Sequence, residues 1–123
     1  MHRILAAATL AALTASASAA GLDGVWLRAD TGGSKVRFAP CGGVKECGTI
    51  IWLKDPKSPA HVGQRVFYDM VPNGAGSWSG SAFNPDDGRT YTGKMSLSGD
   101  TLTTAGCILG GLICKSVTWT RSH

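Results

Sequence analysis

The sequence predicts an all-β protein: an eight-stranded antiparallel up-and-down barrel, preceded by an N-terminal signal peptide. Three observations carry that expectation. Past residue 20 the chain falls into short β-like runs, cut by Gly, Asn, Asp and Pro at intervals of about 8–14 residues, the spacing of a sandwich or barrel. Within several runs apolar and polar residues alternate, the mark of a strand with one buried and one wet face. No window of useful length carries a helical apolar period outside the first twenty residues.

The leader comes first. Arg3 supplies a positive start, Ile4 to Leu13 form a short Ala- and Leu-rich run, and small residues follow from Thr14 to Ala20. Ala17-Ser18-Ala19 fits the A-x-A rule, which places cleavage near Ala19/Ala20. The apolar run is well short of the roughly 18–20 residues that a spanning helix requires. The expected division is therefore a signal peptide over 1–20 and one barrel domain over 21–123, with no membrane span in the mature part. Export to the periplasm or beyond follows from it.

Eight strands are expected: Leu22–Ala29, Ser34–Pro40, Cys47–Lys54, Val62–Val71, Gly76–Asn84, Arg89–Leu97, Thr101–Ile108 and Ile113–Arg121. The joints between them have the residues that tight turns demand. Asp30-Thr31-Gly32-Gly33, Pro72-Asn73-Gly74, Pro85-Asp86-Asp87-Gly88, Ser98-Gly99-Asp100 and Gly110-Gly111 supply positive φ or a pre-set φ. Only Asp55–His61, with two prolines, is long enough to be a real loop. Alternation puts Val66, Tyr68 and Met70 on one face and Arg65, Phe67 and Asp69 on the other. It likewise sets Tyr91, Gly93, Met95 and Leu97 against Thr90, Thr92, Lys94 and Ser96, and Val117, Trp119 and Arg121 against Ser116, Thr118 and Thr120. A meander of this length disposes of its edges most simply by closing. An open sandwich is the alternative.

Four cysteines, Cys41, Cys47, Cys107 and Cys114, make an even count in an exported chain and read as disulfides. Three connectivities are possible. The short Gly-containing segments between 41 and 47 and between 107 and 114 look like hairpins, which favours Cys41–Cys47 and Cys107–Cys114. The gaps are too wide for the usual zinc spacing, and no C-x-x-C redox motif occurs. No metal and no cofactor are expected.

Charge excludes little but guides somewhat. Lys+Arg number 12 against 8 Asp+Glu, a formal net charge of +4. The cations are scattered singly, as on solvated strand faces, and form no stripe of the kind nucleic acid recognition needs. At most they give a weak affinity for anionic envelope surfaces.

Catalytic signatures are missing from the sequence. Ser is plentiful, but there is no G-x-S-x-G elbow, and His61 and His123 sit in a Pro-rich loop and at the terminus. Asp86 and Asp87 suit a capped turn better than a calcium site, which needs more oxygens. No catalytic residue is assigned and the chain is not expected to be an enzyme. The aromatics suggest binding instead. Trp52, Tyr68, Asp69, Trp78 and Tyr91 are the candidates to line a barrel pocket for a small apolar ligand. A filled barrel acting as an interaction module for an envelope protein, with an apolar patch around residues 55–61, is the alternative.

Several phrases in order carry a resemblance. They are Gly24-Val25-Trp26, Cys41-Gly42-Gly43 through Cys47-Gly48-Thr49-Ile50-Ile51-Trp52, and Trp78-Ser79-Gly80. Then follow Phe83-Asn84-Pro85-Asp86-Asp87-Gly88-Arg89-Thr90-Tyr91-Thr92-Gly93, Gly106-Cys107, Cys114 and Thr118-Trp119-Thr120-Arg121. Together they resemble the bacterial domain-of-unknown-function 2147 family (DUF2147), small exported proteins with a lipocalin-like β-barrel. Residues 55–75 look shorter than in longer members. The resemblance implies a fold and a compartment and brings no activity. It also implies a role for Trp26 and Arg121: in lipocalin-like barrels the Trp of an early G-x-W packs beneath an Arg from the last strand and closes one end.

Overall fold

The computed structural model describes residues 21–123; the expected signal peptide, 1–20, lies outside the described residues. Eight strands follow one another: β1 Gly24–Arg28, β2 Ser34–Gly42, β3 Lys45–Leu53, β4 Arg65–Pro72, β5 Ser77–Asn84, β6 Arg89–Ser98, β7 Thr101–Ile108 and β8 Ile113–Ser122. Each pairs antiparallel with its sequence neighbour, and β8 returns to β1, so the sheet is a closed up-and-down barrel. The closing ladder pairs Val25 with Ser122, Trp26 with Arg121, Leu27 with Thr120 and Arg28 with Trp119. An open sandwich is thereby excluded. β4 starts later than the sequence suggests, because Val62-Gly63-Gln64 belongs to the loop, with the Gly63 N–H donating to the Ile50 carbonyl at 2.7 Å.

The two ends of the barrel differ. One is packed solid with Leu22, Trp26, Phe38, Met70, Met95 and Leu102, all buried. Residues 21–23 fold across this end, and the Trp26 indole N–H donates to the Leu22 carbonyl at 2.9 Å. The Arg121 guanidinium lies 4.3 Å from the Trp26 ring centroid. Its Nε donates to Asp100 Oδ1 at 2.9 Å and its Nη2 to the Gly21 carbonyl at 3.1 Å, which ties the entry of β1 to the β6–β7 turn and the end of β8. The other end is a rim made of four connections: β1–β2, β3–β4, β5–β6 and β7–β8.

Bulges decide which side chains face inward, and simple alternation misses them. Lys35 pairs with Trp52 but Val36 with Ile50, so Ile51 is an extra residue in β3. That extra residue turns Leu53 toward the interior and leaves Trp52 40% exposed. In β4, Gly48 pairs with Phe67 while Thr49 pairs with Arg65, so Val66 and Phe67 are both buried. A second bulge lies between Tyr68 and Val71, opposite Ser81 and Ser79. There Asp69 takes φ 50°. The expected grouping of Val66, Tyr68 and Met70 on one face of β4 is corrected accordingly. In β6 and β8 no bulge intervenes, and the expected inward faces hold.

Two glycines admit this geometry. A Cβ at Gly80 would stand 2.6 Å from the Asp69 carbonyl and 2.7 Å from that of Tyr68, so the β4 bulge presses on a position without a side chain. At Gly48 it would meet the rings of Phe67 and Phe38 at 2.8 and 2.9 Å.

Both disulfides form as the hairpin reading requires, Cys41–Cys47 and Cys107–Cys114, and no free cysteine remains among the described residues. Cys107 and Cys114 are direct cross-strand partners. Cys41 is not: it is the extra residue of a bulge between Pro40 and Gly42, and Cys47 pairs with Ala39. Bridges of this kind persist in oxidising, extracytoplasmic surroundings. No helix of the described residues is long and apolar enough to cross a membrane.

Candidate functional site

The rim end of the barrel opens into a cavity of about 500 Å³. Its floor is aromatic. Phe67 meets Trp119 edge to face with ring centroids 6.3 Å apart, and Phe67 rests on Phe38 at 5.3 Å. Val36, Ile50, Val66 and Val117 give the walls their aliphatic surface. One polar group is buried there, Thr104, whose Oγ1 accepts the Trp119 indole N–H at 2.9 Å. The interior is therefore neither filled nor hollow. Its lower half is packed and its upper half is open.

Polar side chains gather at the mouth. Arg28 reaches the cavity from the end of β1 and is paired to Asp30, Nε to Oδ1 at 2.8 Å. Asp87, in the β5–β6 turn, accepts the Arg89 backbone N–H at 2.9 Å and the Tyr91 hydroxyl. This is the turn-capping role that the Pro-Asp-Asp-Gly sequence suggests. The Tyr91 hydrogen bond holds the Asp87 carboxyl below its ordinary value, and the same bond raises the Tyr91 hydroxyl. Lys115 enters from β8. The described residues place no carboxylate within salt-bridge distance of its ammonium.

Of the five side chains expected to line a pocket, Tyr91 does so. Trp52 lies outside the barrel, with the Lys35 ammonium 5.5 Å from its ring. Tyr68 is also outside, 38% exposed, beneath Arg65 at 5.8 Å. Both were turned out by the bulges. Trp78 packs against the core across from Met95 and Pro72, on the packed half. Asp69 is exposed on the second bulge and is not beside Tyr91, whose partner is Asp87. The lining residues that alternation placed on the wrong face are Leu53 and Phe67. Their signal would have been the bulge itself, which no residue type in β3 or β4 announces.

One cluster has metal-like spacing. A ligand atom from each of Cys41, Cys47 and Asp69 lies within 4.8 Å of the others. The two sulfurs are bonded to each other, so a single carboxylate is left and no thiolate donor remains. At the packed end, Glu46 Oε1 is buried without a hydrogen-bond partner. Burial and the neighbouring Asp23 carboxyl push Glu46 up to about 8.

A closed eight-stranded up-and-down barrel, sealed at one end and open to a cavity at the other, belongs to the class of small antiparallel β-barrel proteins. Within that class the sequence is specific. Residues 24–121 match the family described as an uncharacterized protein conserved in bacteria, DUF2147, and the chain belongs to that family. Comparison with curated proteins and with solved structures returns no match.

Proposed function

We propose that this is an exported binding protein that takes a small amphipathic molecule into the mouth of the barrel. The observation that supports it is the half-filled interior: a cavity of about 500 Å³, aromatic and aliphatic at its floor and polar at its mouth, over a packed base. That volume falls within the range of small-molecule pockets, which are mostly apolar with a few placed polar groups. The apolar part of the ligand would lie on Phe67 and Trp119. Its polar end would meet Lys115, which favours an anionic head such as a carboxylate. The two disulfides and the leader-like first twenty residues support a periplasmic or secreted location.

Binding without turnover is the accompanying reading. Asp87 and Tyr91 meet at the mouth, and each moves away from neutrality, Asp87 down and Tyr91 up. A general acid or base for neutral pH requires the opposite tuning. The test is native mass spectrometry of the gently purified protein, followed by titration with dodecanoate read by tryptophan emission. An adduct lost on denaturation, or saturable dodecanoate binding weakened at least about tenfold by Ala82→Phe, which fills the cavity, is the expected result. A clean mass together with no saturable binding would refute it.

A further inference from the structure

The exposed large aliphatic side chains are concentrated at one place. Ile108, Leu109, Leu112 and Ile113 are 47, 70, 83 and 54% exposed, and all four lie on the β7–β8 tip. The Asp55–His61 loop, where the sequence suggested an apolar patch, has no comparable cluster. The tip is held in shape. Cys107 and Cys114 bridge its base with Cα atoms 4.1 Å apart, and a single 3₁₀ turn, Leu109–Gly111, closes it with the Leu112 N–H donating to the Leu109 carbonyl at 3.2 Å. Leu109 takes φ 52°, a conformation that Gly or Asn adopts far more readily. An exposed leucine stands there nonetheless. The last β1–β8 pair is Arg28–Trp119, followed by the Ala29 N–H donating to the Thr118 carbonyl, so the start of β8 runs past the end of β1.

Charge says what the tip meets. From Thr101 to His123 the chain has no Asp and no Glu. Lys115 follows Cys114 directly, and the Lys94 ammonium lies against Gly111, where a Cβ would stand 3.0 Å from Nζ. Asp87, on the adjacent β5–β6 turn, is engaged by Tyr91 and the Arg89 backbone. An apolar knob with lysines behind it and no carboxylate on its own hairpin is the arrangement that seats at a lipid headgroup boundary.

We infer that the β7–β8 tip docks the barrel onto an anionic lipid surface, with the four aliphatic side chains in the acyl boundary and Lys94 at the phosphates. A protein partner suits the tip less well. A specific interface buries about 800 Å² on each side, whereas this convex knob offers on the order of a few hundred Å² of apolar surface. A bilayer requires no matching concavity. Docking rests on the tip alone and stands whether or not the cavity binds a ligand. Because Gly106 and Lys115 line the cavity as well, the docked barrel would turn its mouth toward the lipid.

Vesicle flotation of the disulfide-bonded protein tests this, with phosphatidylglycerol vesicles against phosphatidylcholine vesicles. The expected result is flotation with the anionic vesicles, reduced at least about tenfold in the L109S/L112S variant at unchanged circular dichroism. Should that variant fail to fold, Leu112→Trp decides: its added emission is expected to be quenched by lipids brominated on the acyl chain. The inference is overturned by wild-type protein that stays in the aqueous fraction, by equal flotation of L109S/L112S, or by an unquenched Leu112→Trp. A concentration-dependent dimer that L109S/L112S abolishes, without vesicle binding, would overturn it too and assign the tip to a second copy. Ala82→Phe is expected to float normally, which separates failure of the cavity reading from failure of this one.

Discussion

Arg121 acts through several atoms at once, which is why its replacement should be felt although it sits on the last strand. The guanidinium lies over Trp26, donates to Asp100 and reaches the Gly21 carbonyl. A cation over an indole contributes roughly 0.5–2 kcal/mol and a charge-assisted hydrogen bond roughly 1.5–3. Asp100 is largely exposed, so its share is small. Arg121→Ala is expected to destabilise by about 2 kcal/mol in denaturant unfolding, and Arg121→Lys by less. An unchanged midpoint would remove the closing role. Glu46 poses the opposite case. Its folded value of about 8 lies above the ordinary 4.5, so the folded chain holds a proton that the unfolded chain releases between those values. Stability from this group is complete below about pH 4.5 and is lost as pH rises through 8. Glu46→Gln is expected to raise the melting temperature at pH 8.5 and to leave it unchanged at pH 4. A difference of equal size at both would refute the assignment.

At the scale of single elements, β4 departs furthest from an ideal strand, and β5 is shaped to receive it. The Tyr68–Val71 bulge pushes two carbonyls against Gly80, so Gly80→Ala meets backbone that has nowhere to go. Overpacking of this kind costs about 1–3 kcal/mol. Gly80→Ala is expected near the upper limit, and Gly48→Ala below it, because there the obstacles are ring edges of Phe67 and Phe38 that can shift. The reverse order in chemical denaturation would show that the bulge is soft. The same bulges mark how far the sequence could be read. Turn residues and period-two patterning located all eight strands, since Gly, Asn, Asp and Pro leave direct traces in the chain. The inward face of β6 and β8 was legible for the same reason. The facing of Trp52, Tyr68 and Asp69 was not, because one inserted residue reverses every side chain after it and looks like any other residue. Leu53 and Phe67 line the cavity just where alternation breaks. The site was thus less legible than the fold.

For the whole molecule, the barrel divides its length between two tasks. Leu22, Trp26, Phe38, Met70, Met95 and Leu102 hold it together at one end, and the other end is left open over Phe67 and Trp119. The closing ladder has a consequence for how the chain folds. Seven of the eight ladders join neighbours in sequence, while β1–β8 joins Trp26 to Arg121 across nearly the whole chain. Loop closure over that distance is unfavourable until other contacts have formed, so hairpins should assemble first and the barrel should shut last. Until Arg121 docks on Trp26, β1 and β8 are free edges open to pairing with other chains. Arg121→Ala should therefore speed unfolding while leaving the refolding rate nearly unchanged, a split that stopped-flow measurement would reveal. A chain with that order of events gains its protected form only once its last strand is in place.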